Sequence, residues 1–247
     1  MSTFSDYFSS TAAGYAAFRP SYPPELMAWL SEQTAHHRRA WDCGTGSGQA
    51  AVGLAEYFEC VLATDPSVPQ LQNARHHPRV ELAAMSAEAA ALRGASFDLV
   101  TVAQAIHWFD LAAFYDEVKR VLAPDGLLAV WSYGLLRVNP EIDAVLHAFH
   151  MDELGQYWPP ERALVNRGYA DLPFPFAEVA VAPFEMRADW TSAQLAGYLE
   201  TWSAVTRFRK ANGFSPVKRV MDTIRPLWDQ KSGNMGVTWP ITIRVGR

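Results

Sequence analysis

Residues 40–51 read AWDCGTGSGQAA, and this stretch decides the fold. A short apolar lead-in ends on Asp42, and glycines follow at positions 44, 46 and 48. Glycine has no Cβ atom, so a glycine-rich turn after a strand lets the backbone approach a ligand closely. The stretch therefore predicts a strand that ends in a ligand-binding loop.

Strand-like and helix-like segments alternate outward from this loop. The strand-like segments are short and apolar, which is typical of strands buried on both faces of a sheet. In chain order they are RRAWDCG (38–44), CVLATD (60–65), RVELAAM (79–85), FDLVTVAQ (97–104) and LLAVWSY (127–133). Helical patterns separate them, which predicts an α/β fold with a Rossmann-like, doubly wound, mostly parallel sheet.

The second half of the chain departs from this alternation. Segments 176–187 and 236–245 have strand-like patterns, and we interpret them as two further strands of the same sheet. Pro240 lies in the last of them, so we expect it at a bulge or where its missing N–H is not needed. An irregular loop is expected up to about residue 175, and extra helices are expected to roof a pocket.

Composition limits the class of protein. Of the 247 residues, 49% are hydrophobic and 19% are charged, which is typical of a globular protein with a sizeable core. The net charge of −5 argues against a nucleic-acid partner. There is no membrane-spanning run, signal-peptide pattern or Cys/His metal motif, and Cys43 and Cys60 are too few for a disulfide framework. We expect a cytoplasmic monomer or homodimer with no membrane partner and no metal.

Three side chains indicate what the loop binds. The dinucleotide fingerprint G-x-G-x-x-G needs a third glycine at position 49, where this chain has Gln49. Asp42 would repel a pyrophosphate and attract a cationic group. Asp65 ends the second strand, where a carboxylate can accept both hydroxyls of a ribose, which NAD and S-adenosylmethionine both contain. The pattern favours a ligand with a cationic end.

The order of the motifs resembles that of class I S-adenosylmethionine-dependent methyltransferases. These motifs are D-x-G-x-G-x-G (42–48), ATD (63–65), SAE (86–88), AQAIHWFD (103–110) and VLAPDG (121–126). AQAIHWFD and the segment YAAFRPSYPPEL (15–26) are similar to the small-molecule branch, which includes trans-aconitate and cantharidin-type methyltransferases. The resemblance covers residues 4–133 and implies seven strands, the last of them antiparallel.

The resemblance implies S-adenosylmethionine as the cofactor and assigns roles to residues of the loop. Gly44 and Gly46 would let the backbone pass close to the methionine portion. Asp42 would lie near the amino group or hold the loop's own N–H groups. Asp65 would bind the ribose hydroxyls.

The later strand ends would complete the cofactor site. Ala87 and Glu88 would border the adenine, although this segment can also be a plain helix start with an acid in its first turn. Ala103 and Gln104 would flank the sulfonium end.

The N-terminal segment would close over the cofactor as a lid. Arg19 would meet the methionine carboxylate with Tyr15 or Tyr22 nearby, or it is a surface arginine held rigid by Pro20. We accordingly expect one methyltransferase domain, 1–247, with a lid (1–34), a cofactor-binding core (35–135) and a part that carries the substrate-side helices and the last two strands (136–247).

His107 is the candidate catalytic residue, because it lies directly beyond the end of the fourth strand. It would act as a general base, or would position a carboxylate acceptor that needs no base, or would be structural and orient the Trp108 loop. Aromatic residues are expected to line the acceptor pocket, although Trp202 also fits core packing. They are Trp108, Tyr133, Tyr157, Trp158, Trp202 and Phe208.

We therefore predict methyl transfer from S-adenosylmethionine to an oxygen of a small-molecule carboxylate or hydroxyl, by in-line displacement. One alternative is an NAD-dependent oxidoreductase, which Gln49 and Asp42 disfavour. The other is a non-catalytic, methyltransferase-like binding module.

Overall fold

Seven strands form one sheet in the part of the chain that the structure describes. The computed structural model describes residues 20–229 and 233–247. The strands are β1 (Arg39–Cys43), β2 (Cys60–Asp65), β3 (Val80–Ala84), β4 (Phe97–Ala103), β5 (Leu122–Tyr133), β6 (Phe184–Trp190) and β7 (Met235–Gly246). They lie in the order β3-β2-β1-β4-β5-β7-β6. β7 is antiparallel to both of its neighbours, and the other pairs are parallel.

Helices cover both faces of this sheet. They are α1 (Pro24–Glu32), α2 (Gln49–Leu54), α3 (Val68–Gln72), α4 (Leu111–Val121), α5 (Pro140–Ala148), α6 (Arg162–Asn166), α7 (Ser192–Glu200), α8 (Ser203–Asn212) and α9 (Val217–Asp229). Short helical turns also occur at Ile106–Trp108, Phe149–Glu153 and Gly155–Tyr157. Within residues 20–229 and 233–247, no helix combines the length and the apolar character needed to cross a bilayer.

The core forms because the central strands bury side chains on both faces. Successive residues of a strand point to opposite faces, so Ala40 and Trp41 in β1 face different layers. Ala40 belongs to the layer that contains Leu54 of α2, and Trp41 to the layer that contains Phe114 of α4. The indole N–H of Trp41 is satisfied inside the core, where it donates to the Thr64 hydroxyl at 2.8 Å.

The predicted fold class, the seven strands and the antiparallel last strand are confirmed. The predicted start of the sixth strand is wrong, because β6 begins only at Phe184. The preceding residues form one isolated bridge, between Glu178 and Gly246. Pro183 cannot donate a hydrogen bond to a neighbouring strand, and the continuous ladder starts after it.

The segment that we expected to be an irregular loop up to residue 175 contains helical turns and α6. Among the extra helices expected in this half, α7 ends at Glu200, and Trp202 lies beyond it at the N-cap position of α8.

Pro240 occupies a place where its missing N–H costs no ladder hydrogen bond. The pairing of β7 with β5 ends at the pair Ile241–Tyr133. Two residues before Pro240, the backbone of Thr238 exchanges hydrogen bonds with Arg137, at 2.8 and 2.9 Å. Alternate residues of a strand direct their backbone groups to the same side, so Pro240 faces the gap between these two pairings.

Candidate functional site

The glycine loop connects β1 to α2 at the carboxyl edge of the sheet. Its three glycines have positive φ angles, +68° at Gly44, +53° at Gly46 and +75° at Gly48. Residues with a Cβ atom rarely adopt this region. A Cβ atom at Gly44 would lie 2.6 Å from the Cβ atom of Ala105, whereas one at Gly46 would meet no atom within 4 Å. Packing therefore requires glycine at position 44, and Gly46 faces open space.

Asp42, the acid in front of the loop, lies beneath it and is completely buried. Its carboxylate accepts hydrogen bonds from the hydroxyls of Thr45 (2.6 Å) and Thr101 (2.8 Å). Burial raises the pKa of Asp42 to about 6, and hydrogen bonds, including one from the backbone of Ala51, partly offset the effect. Asp42 exposes no surface, and its hydrogen bonds from the Thr45 hydroxyl and the Ala51 backbone fit the second of its two expected roles, which is to hold the loop. Its place near a cofactor amino group stays a prediction.

A cavity of about 610 Å³ opens above the glycine loop, where β1, β2, β4 and β5 end. We call it the larger cavity, and its volume lies within the range of roughly 300–1,000 Å³ typical of small-molecule sites. Its described lining includes four acids and no lysine, arginine or histidine; the acids are Asp65, Glu88, Asp110 and Glu161. Such a lining attracts a cationic group and repels a phosphate.

Most of the predicted cofactor-binding residues line the larger cavity, and they follow four successive strands. They are Gly44, Gly46, Asp65, Ala87, Glu88, Ala103 and Gln104. Tyr22 lines it too. Tyr15 and Arg19 lie outside the described residues.

Two of the four acids, Asp65 and Glu88, also connect the walls of the larger cavity by hydrogen bonds. One carboxylate oxygen of Asp65 accepts the backbone N–H of Gly46 (2.9 Å), and the other accepts that of Ser67 (2.8 Å). Each oxygen of a carboxylate can accept more than one hydrogen bond, so this arrangement is compatible with a ligand that offers hydroxyls. Glu88 accepts the backbone N–H of Asp110 (3.1 Å), which joins the segment after β3 to the start of α4.

A second, smaller cavity of about 70 Å³ lies beside the first. Gln104, Trp108 and Tyr133 line both cavities, so the two meet at these side chains. Gln104 has a positive φ angle of +59°, and its side-chain amide donates to the carbonyl oxygen of Tyr133 at 2.9 Å. A non-glycine residue in this region is strained, and such residues are often found at functional sites.

Five of the seven residues predicted for the acceptor side line the smaller cavity. They are His107, Trp108, Tyr133, Trp158 and Trp202. Trp202 also packs in the core, as the alternative interpretation expected, since only 5% of it is exposed. Tyr157 and Phe208 do not line either cavity; their rings pack against each other, with centroids 5.0 Å apart, so their expected place in the pocket is wrong.

Sequence reasoning missed Arg162, the sole lysine or arginine among the described residues that line the smaller cavity. Its guanidinium lies over the ring of Trp158, 4.7 Å from the centroid, and its Nε donates to Asn166 at 3.0 Å. The segment PPERALVN contains a signal for the short helix α6, since prolines commonly precede a first helical turn. Nothing in that pattern indicates that Arg162 reaches a strand end more than fifty residues away, at His107 and Trp108.

The imidazole of His107 is neutral over the physiological pH range. Burial, with a smaller contribution from the nearby charge of Arg162, lowers the pKa of His107 to about 3. Nδ1 of His107 is hydrogen-bonded to the hydroxyl of Tyr169 at 2.7 Å. Tyr169 was not among the predicted site residues, because it lies in a turn 62 residues further along the chain.

The described residues contain no group of three His, Cys, Asp or Glu side chains placed to bind a metal ion. The larger cavity instead combines a glycine-rich backbone, apolar side chains such as Met85 and Phe109, and acids. These features fit a nucleoside ligand that carries positive charge better than a dinucleotide, whose pyrophosphate would lie beside the acids.

Comparisons with known proteins agree with this chemistry. Residues 41–130 match a family profile described as a methyltransferase domain. A Dictyostelium discoideum protein named as a methyltransferase is 36% identical over 245 residues, which cover 96% of this chain and 93% of that protein. A Saccharomyces cerevisiae protein named as an S-adenosylmethionine-dependent methyltransferase is 26% identical over 245 residues, or 83% of each chain.

A solved structure from Anaeromyxobacter dehalogenans, described as that of a type II methyltransferase, shares the fold over almost its whole length. It has a TM-score of 0.88 and 46% sequence identity, and the match covers 94% of this chain and 98% of that one.

The raised pKa of Asp42 predicts a pH-dependent effect on stability. Its pKa rises from an ordinary value of 3.8 to about 6 on folding, so ionisation of Asp42 destabilises the folded state as the pH increases through this range. Asp42→Asn removes this ionisation. Relative to the unsubstituted protein, its free energy of unfolding should increase by about 2.5 kcal/mol between about pH 4 and pH 7.

Urea denaturation of both proteins across this range measures the difference, and circular dichroism at each pH controls for a change of fold. A difference that stays constant, or that decreases toward pH 7, would contradict the assignment.

Proposed function

Because this chain belongs to the S-adenosylmethionine-dependent methyltransferases, we propose that it methylates an oxygen of a small-molecule acceptor in the smaller cavity. One observation carries the proposal: the two cavities meet at Gln104, Trp108 and Tyr133. Methyl transfer requires acceptor and donor to lie in line and in contact, and adjoining sites of unequal size meet that requirement.

We assign the cofactor to the larger cavity. Gly44 and Gly46 would carry the backbone past its methionine portion, and Asp65 would accept the ribose hydroxyls. Ala87 and Glu88 would border the adenine. These roles are supported by the place of each residue on the lining and by the acidic character of the whole cavity.

Ala103 and Gln104 would lie at the reacting end. Bound S-adenosylmethionine supplies a methyl group that its positively charged sulfur already activates. The chain's task is therefore to align the acceptor and to exclude water, and Gln104 is held for this by its bond to the Tyr133 carbonyl. The rings of Trp158 and Trp202, with centroids 5.5 Å apart, form an apolar wall on the acceptor side.

Three features support a small, oxygen-bearing acceptor. A volume of about 70 Å³ leaves room for only a small acceptor or its reactive head group. Arg162 adds a positive charge to the lining, which favours an anionic group such as a carboxylate. His107 is neutral and can exchange a hydrogen bond with an oxygen of the acceptor.

The assignment of Asp65 predicts a selective loss of cofactor affinity. Asp65→Ala should weaken S-adenosylhomocysteine binding by roughly 10- to 150-fold, the equivalent of about 1.5–3 kcal/mol for hydrogen bonds to a charged group. Isothermal titration calorimetry on the folded variant measures this change.

Asp98→Ala is the matched control for the Asp65 variant. Like Asp65, Asp98 accepts two backbone N–H groups, those of Arg38 (2.8 Å) and Arg39 (3.0 Å), but it is buried and lies at the opposite edge of the sheet. Its substitution should lower stability and leave cofactor affinity within about twofold. Unchanged affinity in Asp65→Ala would contradict the ribose assignment.

The acceptor proposal is tested by the position of the transferred methyl group. The protein is incubated with S-adenosylmethionine labelled in its methyl group and with panels of small carboxylic acids, alcohols and amines. We expect the label on oxygen, with a carboxylate ester identified by release of labelled methanol in base. Arg162→Leu should raise KM for a carboxylate acceptor by about tenfold or more, because a charged hydrogen-bond partner is lost.

Arg167→Leu is the control for charge alone, because Arg167 is adjacent to the same helix but pairs with Asp171 and does not line the cavity. Its KM should match that of the unsubstituted protein. Label found on nitrogen, carbon or a macromolecule would contradict the proposed acceptor.

A further inference from the structure

His107, which lines the smaller cavity, is hydrogen-bonded to the buried residue Tyr169. The Tyr169 hydroxyl lies 2.7 Å from Nδ1 of His107, and only 1% of Tyr169 is exposed. The other ring nitrogen, Nε2, has no hydrogen-bond partner in the described part of the chain. It also remains accessible to solvent. Since His107 lines the smaller cavity, Nε2 is the ring nitrogen available to a ligand there.

The hydrogen-bond inventory decides which of the two groups donates. A phenol has one O–H donor, and a neutral imidazole has one N–H donor and one acceptor nitrogen. Nδ1 of His107 is the one hydrogen-bond partner of the Tyr169 hydroxyl among the described residues. If Nδ1 carried the proton, the buried phenolic O–H would have no acceptor, which is unfavourable. Tyr169 must therefore donate, and Nδ1 must accept.

We propose that Tyr169 is a positioning residue that fixes the tautomer of His107 with its proton on Nε2, so that His107 presents a hydrogen-bond donor to the acceptor molecule. The part that concerns the acceptor rests on the proposed function. The tautomer itself rests on the geometry of the pair and on the neutral state of His107, and not on the proposed function.

The turn that carries Tyr169 is built to hold this hydroxyl in place. Tyr169 has a φ angle of +60°, a conformation that is strained for a residue with a large side chain. Its backbone N–H donates to the carbonyl of Leu164 at 2.9 Å. Arg244 in β7 donates to the carbonyls of Tyr169 (3.4 Å) and Leu172 (2.7 Å), and so ties the turn to the sheet.

The fixed tautomer excludes a general-base role for His107. A base must offer a lone pair to the proton that it removes, and in this tautomer the lone pair lies on Nδ1, which Tyr169 occupies. Nε2–H can instead donate to a lone pair of the acceptor and orient it. The site therefore suits an acceptor atom that is already nucleophilic without losing a proton to His107. If that atom is negatively charged, Arg162 lines the same cavity and can pair with it.

Nitrogen-15 NMR of the full chain, labelled at histidine, tests the tautomer without any ligand. Correlations between the ring nitrogens and ring protons distinguish the two neutral tautomers, and His107→Gln identifies the signals. At neutral pH we expect a proton on Nε2 and an Nδ1 signal shifted by an accepted hydrogen bond. Tyr169→Phe should abolish that hydrogen-bond shift.

Tyr115→Phe is the matched control. Tyr115 belongs to the same core layer, is buried, and donates its hydroxyl to the carbonyl of Pro173 at 2.6 Å. Its variant also loses one buried phenolic hydrogen bond but should leave the His107 signals unchanged. Observation of a proton on Nδ1, or identical His107 signals in Tyr169→Phe and the unsubstituted protein, would overturn the proposal.

The two proposals can fail separately. If the tautomer is confirmed while the methyl group is found on nitrogen or carbon, the acceptor proposal alone fails. If Nδ1 carries the proton, oxygen methylation can still occur with His107 as a base, and only the role of Tyr169 is lost.

Discussion

The position of β1 between β2 and β4 is the constraint on which the site depends. β1 pairs in parallel with both neighbours, and the chain leaves β1 and β4 toward opposite faces, into α2 and α4. A crevice must open where the connections diverge, above the carboxyl ends of these strands. The glycine loop, Asp65, the segment after β3 and Gln104 all reach this edge because each lies at the end of a strand or directly after it. The larger cavity is thus a consequence of strand order, and its chemistry is set by the few residues that follow each strand.

Charge decides which ligand that crevice accepts. Four acids line the larger cavity, and its described lining has no basic residue, whereas the smaller cavity contains Arg162. A positively charged methyl donor in the larger cavity would lie near the acids, and a negatively charged methyl acceptor in the smaller cavity would lie near Arg162. The two would lie on either side of Gln104 and Tyr133. Asp42 is not part of this charged lining. It is buried below the loop, where its carboxylate accepts hydrogen bonds from the hydroxyls of Thr45 and Thr101.

Features that neighbouring residues encode could be predicted from the sequence, whereas contacts between distant parts of the chain could not. The strands, the glycine loop and Asp65 are encoded by neighbouring residues, so hydrophobic pattern and spacing suffice to place them. Asp42 was placed in the right element, but no local pattern shows whether a strand-end acid points into a cavity or beneath a loop. Arg162 and Tyr169 approach His107 only through tertiary packing of a turn that lies far along the chain, so no spacing rule could find them. The late start of the β6 ladder, at Phe184 after Pro183, is a third case, since its partner residues belong to β7.

We propose that the acidic larger cavity binds a cationic nucleoside cofactor and not a dinucleotide. Isothermal titration calorimetry of the full chain with S-adenosylmethionine, S-adenosylhomocysteine and NAD tests it most directly. We expect both S-adenosyl compounds to bind with one site per chain and NAD to give no binding heat. Binding of NAD, with no binding of S-adenosylhomocysteine, would contradict the account.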